Sequence, residues 1–547
     1  VLQTAIPSAF LLWASHFPLA VGPLAWLALV PLLSLARLPL TAGRTAAVTA
    51  IGGMLFFLPA MQWMRVADPM MYLTWLGMSL YCSAYFILAM LVIRFISRQT
   101  TLPLALTVPI VWIPFEYLRA HFLSGFAWYF LGHSQHDLLP VAQVADIAGV
   151  YGVSFLVAAS NGMLADWYVR LRWHRPTRAL AGSTIATLLL VAAGSCYGLW
   201  RMSSATFEDG PRVALLQSNL DQRIRNARNS KSGADVAAKT MLEHCYKLYA
   251  TEHPKMRPDL IVWPETSYPI DWVDIDPDLP ESKIDDGARL VHAKCRELVG
   301  ELAKWSGSNI LLGMNRTRFL ADGTSARFNS AIMVNHQGVF IDSYDKIHCV
   351  PFGEYLPMRK TFPWMKVVTP YDHDYSITEG SRLTLFPLDA TKGRYYFGSI
   401  ICYEDSDTIL ARHYAAQVDF LVNISNDGWF NGTSEHEEHL AICRFRAIEA
   451  RRSVIRSVNM GISAIIDSNG RLSAMPGPTW KSSKQVAAVV SGVVPIDRRR
   501  SIYAQWGNWL PWICIMGAMG MLVIASRNQR TMRVNAANLV DAAAITH

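Results

Sequence analysis

Charge is scarce in the first part of this chain, and lysine is missing from it altogether. The 547 residues include 50 Lys and Arg and 42 Asp and Glu, yet positions 1 to 200 hold only ten Arg, five acidic residues and no Lys. With 52% hydrophobic and 17% charged residues overall, that asymmetry excludes a wholly soluble enzyme and a disordered chain. A paired-cysteine framework is also missing. Eight Cys are scattered along the whole length, which excludes a secreted disulfide scaffold. There is no internal repeat and no low-complexity tract. The net charge of +8 does not indicate nucleic acid, because +5 of it comes from Arg set between hydrophobic stretches, where such residues orient a membrane protein. The first hydrophobic stretch lacks a basic leading segment and a small-residue cleavage site, so a removable signal peptide is not expected.

A membrane-spanning helix needs about 20 mostly apolar residues. Seven stretches before residue 201 are candidates, at 5 to 20, 22 to 36, 47 to 64, 71 to 93, 102 to 118, 141 to 169 and 179 to 200, and an eighth lies at 507 to 526. The first two are short and interrupted by Pro7, Pro18, Pro23 and Pro31, as half-spans or a tight hairpin would be. Basic residues in short loops stay on the cytoplasmic side. An inside N-terminus places Arg37, Arg44, Arg94, Arg98, Arg170, Arg172, Arg175, Arg178, Arg527, Arg530 and Arg533 there, and leaves Arg65 and Arg119 in short outer loops. The run Arg498 to Arg500 is an exception, at the end of a long domain where the rule is weak. The expected organisation is a bundle of about seven spans over 1–204, a domain on the outer face over 205–500, and a last span with a cytoplasmic tail over 501–547.

Residues 205–500 alternate short β-rich runs (212–220, 259–266, 309–315, 330–335, 395–405, 419–427 and 453–467) with helical stretches around 232–252, 286–306 and 435–452. The last has Ser434 followed by Glu437, the pattern of a capping box. The fold class expected is a membrane α-helical bundle plus an α/β sandwich.

Three Cys, at 82, 196 and 514, fall inside expected spans and read as packing residues. Cys402 stands apart. It ends the apolar run FGSII and precedes the polar YEDSD, so it occupies a strand-to-helix turn, where a thiol is exposed and a helix N-terminus favours its thiolate. Glu265 ends the strand run LIVWPE, and Lys346 again follows a β-rich stretch, with Glu354 in a Pro-bounded loop. A thiol, a carboxylate and an ammonium thus each sit at the end of a separate strand, as nucleophilic acyl chemistry requires.

The ordered set WPE at 263–265, DKIHCVPFGEYLP at 345–357, ICYED at 401–405 and SNDGWF at 425–430 resembles the nitrilase, or carbon–nitrogen hydrolase, superfamily. With the hydrophobic spans and the run HLAICRFRAIEARRSVIRSVNMGISAIID, nearly the whole chain is similar to the superfamily's membrane-embedded branch, the bacterial apolipoprotein N-acyltransferases. The resemblance implies an α-β-β-α sandwich, Glu265 as general base, Lys346 as oxyanion stabiliser and Cys402 as nucleophile. It adds Glu354, Tyr403, Glu404 and Trp429 as supporting residues. It further implies a phospholipid acyl donor, an S-diacylglyceryl-cysteine apolipoprotein acceptor, surrounding membrane lipid, a bacterial inner membrane with the catalytic domain in the periplasm, a monomer, and no cofactor or nucleic acid. The loop NDGWFNGTSEHEEH departs from the family at Gly428 and over 431–439.

Other features have simpler readings. His436 and His439 share a helical face, but no HExxH or Cys pair accompanies them, so no metal is expected. His348 and Cys349 are adjacent and would point to opposite faces of a strand. Arg444, Arg446, Arg451 and Arg452 read as a solvated or ion-paired face. Phe362 and Trp364, next to Arg359, Lys360 and Lys366, suit a membrane-dipping lid. A tethered amidase using water, and a transporter or lipid-binding scaffold, are the competing readings. Lipid-facing spans disfavour the first, and an intact Glu, Lys and Cys set disfavours the second.

Overall fold

The computed structural model describes residues 2–174, 176–222, 257–351, 353–355 and 376–545. The helical stretch expected at 232–252 and the lid residues Phe362 and Trp364 lie outside the described residues. The chain divides into two compact units, one of Val1–Gln62, Leu73–Ser203 and Trp506–His547, the other of Trp63–Tyr72 and Ser204–Gln505.

The longer helices of the first unit are α1 (Leu2–Ser15), α2 (Ala42–Ala60), α3 (Met71–Gln99), α4 (Leu104–His121), α5 (Val150–Arg172), α6 (Ala181–Ser203) and, at the end of the chain, Trp509–Ile545. Among the described residues, four helices are long and apolar enough to cross a membrane, or five if Leu139–Ala148 and α5, bent by 119°, form one span. The eight candidate stretches are therefore not eight long helices. Stretch 5–20 gives the 14-residue α1, and stretch 22–36 breaks into short turns around Pro23 and Pro31, where the missing proline N–H interrupts the helical ladder. Gly149, at φ +65°, makes the bend before α5, a backbone state that glycine adopts without strain. Only 11% of the apolar window of Arg178–Ser203 is buried by protein, and its exposed Leu188, Leu189 and Leu199 form a face suited to lipid tails. Cys82 and Cys514 are buried here, whereas Cys196 is exposed. Arg119, assigned from sequence to an outer loop, lies in the last turn of α4 and donates to the Trp128 carbonyl at 2.6 Å.

The second unit contains two sheets. The strands of the first are β1 (Glu208–Gln217), β2 (Leu260–Val262), β3 (Trp272–Ile275), β4 (Asn309–Phe319), β5 (Ser325–Val334), β6 (Phe340–Asp345) and the late β13 (Ala488–Ile496). Their order is β13-β1-β2-β4-β5-β6, with β3 also on β4. The second sheet runs β12-β11-β10-β9-β8-β7, from β7 (Leu385–Ala390), β8 (Gly393–Ile401), β9 (Phe420–Asn426), β10 (Ser453–Asn459), β11 (Ala464–Ile466) and β12 (Leu472–Ala474). The run expected at 453–467 is two strands, broken at Met460, which has φ +65°.

Alternation along the strands builds the layers, because successive side chains point to opposite faces. Val213 and Leu215 of β1 face a core shared with Phe397, Phe420, Val422 and Ile455 of the other sheet. Their neighbours Ala214 and Leu216 face Cys295, Val299 and Leu302 of helix α7 (Asp286–Ser306). On the far side, Ile400, Leu421 and Val454 pack on α8 (Thr408–Tyr414) and α9 (Glu435–Ala450) through Leu410, Tyr414, Leu440 and Cys443. The result is the α-β-β-α sandwich. β1, β2 and β4 run parallel, as do β8, β9 and β10, so their carboxyl ends gather on one edge, the usual place for a site in such sheets.

Two local expectations are corrected. Ser434 makes no side-chain cap on α9 because its own backbone is already helical, and Glu437 pairs with Lys484 at 2.7 Å. Of the two readings of the arginines around α9, solvated or ion-paired, the solvated one is corrected: Arg444, Arg446 and Arg451 are buried, and Arg446 is ion-paired with Glu449. They are held by the Gly470 carbonyl, by Glu449, and by the Ser468 carbonyl and Asn469 side chain, respectively.

Gly313 of β4 lies against the turn that carries Glu265. A Cβ there would sit 2.2 Å from the Pro264 carbonyl oxygen and 2.6 Å from the Glu265 Cα. Gly313→Ala is expected to destabilise this unit by about 1–3 kcal/mol, as overpacking does, read as a lower midpoint in thermal unfolding of the purified protein.

Candidate active site

β2 ends at Val262, and three residues later the chain turns at Glu265, which is 6% exposed. β6 ends at Asp345 and delivers Lys346, which is 1% exposed. The Lys346 ammonium lies 2.8 Å from Glu354 Oε1 and 3.5 Å from Glu265 Oε1. The Asn329 side-chain amide of β5 donates to both carboxylates, at 2.6 Å to Glu265 and 3.1 Å to Glu354. The Glu354 loop closes on itself, with its other oxygen accepting from the Val350 N–H at 2.7 Å. Burial opposes the Lys346 charge, but Glu354 and Glu265 outweigh it and hold the ammonium well above the ordinary lysine range.

Cys402 follows β8 directly and is half-buried. Its φ of +52° lies in the left-handed region, a strain of about 1–3 kcal/mol for a residue with a Cβ, which persists only where surroundings enforce it. Glu404 does much of the enforcing. Fully buried, it accepts from the Ile401 N–H at 2.7 Å, the Ile347 N–H at 2.7 Å, the His348 N–H at 2.9 Å and the Tyr344 hydroxyl at 2.8 Å. The Cys402 turn and the lysine segment are thereby joined through one carboxyl group. Burial pushes that carboxyl up to about 7, against the opposing backbone donors.

The expectation that a helix N-terminus favours the Cys402 thiolate is corrected. The turn after it is one short 3-10 stretch, Cys402–Ser406. Burial first, then Glu265, push the thiol up to about 12, against Lys346 and His439. Of the groups that act on it electrostatically, Glu265 is the carboxylate able to accept its proton.

The remaining expected residues are close in sequence to these. The Tyr403 ring stands edge-on to His348 at 5.4 Å, and His348 itself pairs with Asp407 at 3.1 Å. Cys349, next to it, is buried with a thiol pushed up to about 12 by burial. Trp429 sits half-buried in the 3-10 turn Asp427–Phe430, and Phe430 packs edge-on at 4.8 Å against Trp63, from the segment that the membrane helices contribute to this unit. A Cβ on Gly428 would lie 3.0 Å from Asn426 Oδ1, so glycine suits the turn as built.

Sequence reading missed Asn329 and the groups behind the thiol. His439 was set aside for want of a metal motif, yet Asp427, Glu435 and His439 do place ligand-type atoms within 4.8 Å of one another. Arg456, paired with Asp427 at 3.2 Å, already supplies a cation there.

The four-layer fold, with the Cys402 thiol and Glu265 just beyond the parallel strands β8 and β2 and the buried Lys346 ammonium just beyond β6, defines a carbon–nitrogen hydrolase. The family model described as Carbon-nitrogen hydrolase matches residues 212–496, and that described as Apolipoprotein N-acyltransferase N-terminal domain matches 8–163. The chain belongs to the apolipoprotein N-acyltransferases and is an acyltransferase enzyme. It is 30% identical to an apolipoprotein N-acyltransferase of Geobacter metallireducens, covering 96% of this chain and 95% of that one. It is 26% identical to one of Rhodopirellula baltica, covering 92% and 94%. A solved carbon–nitrogen hydrolase from Helicobacter pylori G27, 14% identical, covers 55% of this chain and 93% of its own, with a TM-score of 0.36.

Glu404→Gln would set an amide N–H₂ against one of the backbone N–H donors that now meet an oxygen. A loss of about 1–3 kcal/mol is expected for a buried polar group left unmatched. It should appear as a lower unfolding midpoint, together with slower reaction of Cys402 with an acyl donor.

Proposed function

We propose that this protein moves an acyl chain from a phospholipid, through a thioester on Cys402, to the α-amino group of the N-terminal S-diacylglyceryl cysteine of apolipoproteins. The observation that carries this is the buried Lys346 ammonium shared by Glu265 and Glu354 beside the strained Cys402 turn, in a chain whose other unit presents lipid-suited helices. That the related proteins are apolipoprotein N-acyltransferases supports the acceptor. Glu265 takes the thiol proton as Sγ attacks the ester carbonyl carbon, and Lys346 faces the oxygen that becomes negative. The tetrahedral centre collapses, the lysophospholipid oxygen leaves with the proton from Glu265, and a thioester remains. The acceptor amine then attacks the thioester, its proton passes to Glu265, and the Cys402 sulfur leaves and is reprotonated. Lys346 stays cationic between two carboxylates, which makes it an electrostatic partner and leaves the base role to Glu265. Tyr403, Glu354, Glu404 and Trp429 support the site. The chain is read as a monomer without cofactor, with 1–204 and 501–547 in the bacterial inner membrane and 205–500 in the periplasm.

Intact-mass analysis of the purified protein mixed with phospholipid is expected to show one acyl chain on Cys402, and none in Cys402→Ala or Glu265→Gln. Lys346→Ala should slow acylation by on the order of 3 kcal/mol or more, as loss of other oxyanion donors does. An acylated Cys402→Ala protein would overturn the assignment.

A membrane-impermeant amine reagent added from the outer face is expected to label Lys231 to Lys304, while a tag after Arg533 stays protected. Labelling of those lysines only after the cytoplasmic side is opened would reverse the orientation.

A further inference from the structure

Behind the thiol lies a second set of charges that the proposed chemistry does not use. Asp405, three residues after Cys402, is fully buried and accepts from His439 Nε2 at 2.9 Å and Arg456 Nη1 at 2.7 Å. Asp427, in the tryptophan turn, accepts from His439 Nδ1 at 3.2 Å, from Arg456 Nη2 at 3.2 Å and from the Ser425 hydroxyl at 2.7 Å. Arg456 also donates to Asn423 Oδ1 at 2.6 Å. The six groups come from the Cys402 turn, the tryptophan turn, α9, β9 and β10, and His439 and Arg456 each bridge the first two.

An imidazole whose two nitrogens both face carboxylate oxygens must donate from both, and a ring that donates twice is cationic. Burial and Arg456 oppose that charge, yet Asp405 and Asp427 prevail and hold His439 well above its ordinary value. Glu435 Oε1 stands 3.4 Å from the same ring, and burial, then Asp427, push that carboxyl up to about 7. Two other titratable groups face the cluster from α9. His436 is pulled down to about 4 by burial, and the Cys443 thiol is pushed up to about 12 by burial. The cluster therefore balances two carboxylates, Asp405 and Asp427, against two cations, Arg456 and His439.

We propose that His439 is a positioning residue for the reaction, a buried imidazolium that clamps the strained Cys402 turn to the tryptophan turn and places a fixed positive charge behind the sulfur as it ionises. When the thiol proton moves to Glu265, the charges of Lys346 and His439 both favour the new negative charge on the sulfur. His439 is one of the two cations that favour the Cys402 thiolate. The proposal rests on Cys402 as the nucleophile.

The test uses the full-length protein in lipid nanodiscs and the alkylation rate of Cys402 by iodoacetamide at pH 8, read by peptide mass. Two physical effects have opposite signs. Loosening a half-buried turn exposes the sulfur and speeds alkylation, whereas removing a nearby positive charge lowers the thiolate fraction and slows it. His439→Gln, which keeps a hydrogen-bonding side chain without the charge, is expected to remain folded by its melting transition and to alkylate about tenfold more slowly, the effect of a one-unit rise in thiol pKa. An unchanged or faster rate would overturn the proposal. A second measurement requires no variant. Solid-state NMR of ring-¹⁵N-labelled wild type at pH 8.5 should retain one doubly protonated ring among the 15 histidines, and spectra in which every ring is neutral would overturn it as well. Neither readout involves an acyl donor, so an acyl chain found on a residue other than Cys402 would remove the nucleophile assignment while leaving the charge of His439 decided separately.

Discussion

One ammonium holds the site together. Lys346 is almost fully buried and has two carboxylates within 3.5 Å, and a charge so placed is tolerable only because it is paired. The pairing fixes more than charge. It brings the loop after β6 to the end of β2, and Asn329 on β5 secures both carboxylates from the side. Removing either carboxylate would leave a buried ammonium with one charged partner instead of two.

Backbone strain at Cys402 is the counterpart of that pairing. The residue is held in a conformation that side chains with a Cβ disfavour, and the two acids that follow it hold it there from opposite directions. Glu404 reaches toward the lysine segment and Asp405 toward His439 and Arg456. Consecutive carboxylates pointing apart turn a short loop into a rigid mount. The energy stored in the turn is supplied by contacts with strands that belong to the core, and this is how functional strain is usually sustained.

The layout of strand ends was legible in the sequence, because an apolar run that stops at a polar residue is a local pattern. The stretch 286–306 coincides with α7, and Glu265, Lys346 and Cys402 stand just beyond β2, β6 and β8. What could not be read was pairing across distance. Asn329 meets Glu265 across 64 positions and His439 meets Asp405 across 34, and no periodicity in either segment announces a partner. The arginines around α9 looked like a polar face for the same reason, since their acceptors lie in other strands and turns. Four of the membrane stretches, 47–64, 71–93, 179–200 and 507–526, coincide with long apolar helices, and those that do not differ for another reason. Hydropathy reports composition, whereas proline and glycine decide whether an apolar stretch becomes one helix or several short turns.

The donors that meet Glu404 carry a consequence for how this site can drift over generations. Three of the four are main-chain N–H groups, of Ile347, His348 and Ile401, and a main-chain N–H belongs to every residue type except proline. The hydrogen bonds that hold Glu404 are therefore independent of side-chain identity at those three positions, although the side chains have other work, Ile401 in the core and His348 on Asp407, whereas the acceptor oxygens come from position 404 alone. A substitution at one of the three would be felt through packing or the Asp407 pair and not through the hydrogen bond to Glu404, whereas a substitution at 404 would be felt at all three donors at once.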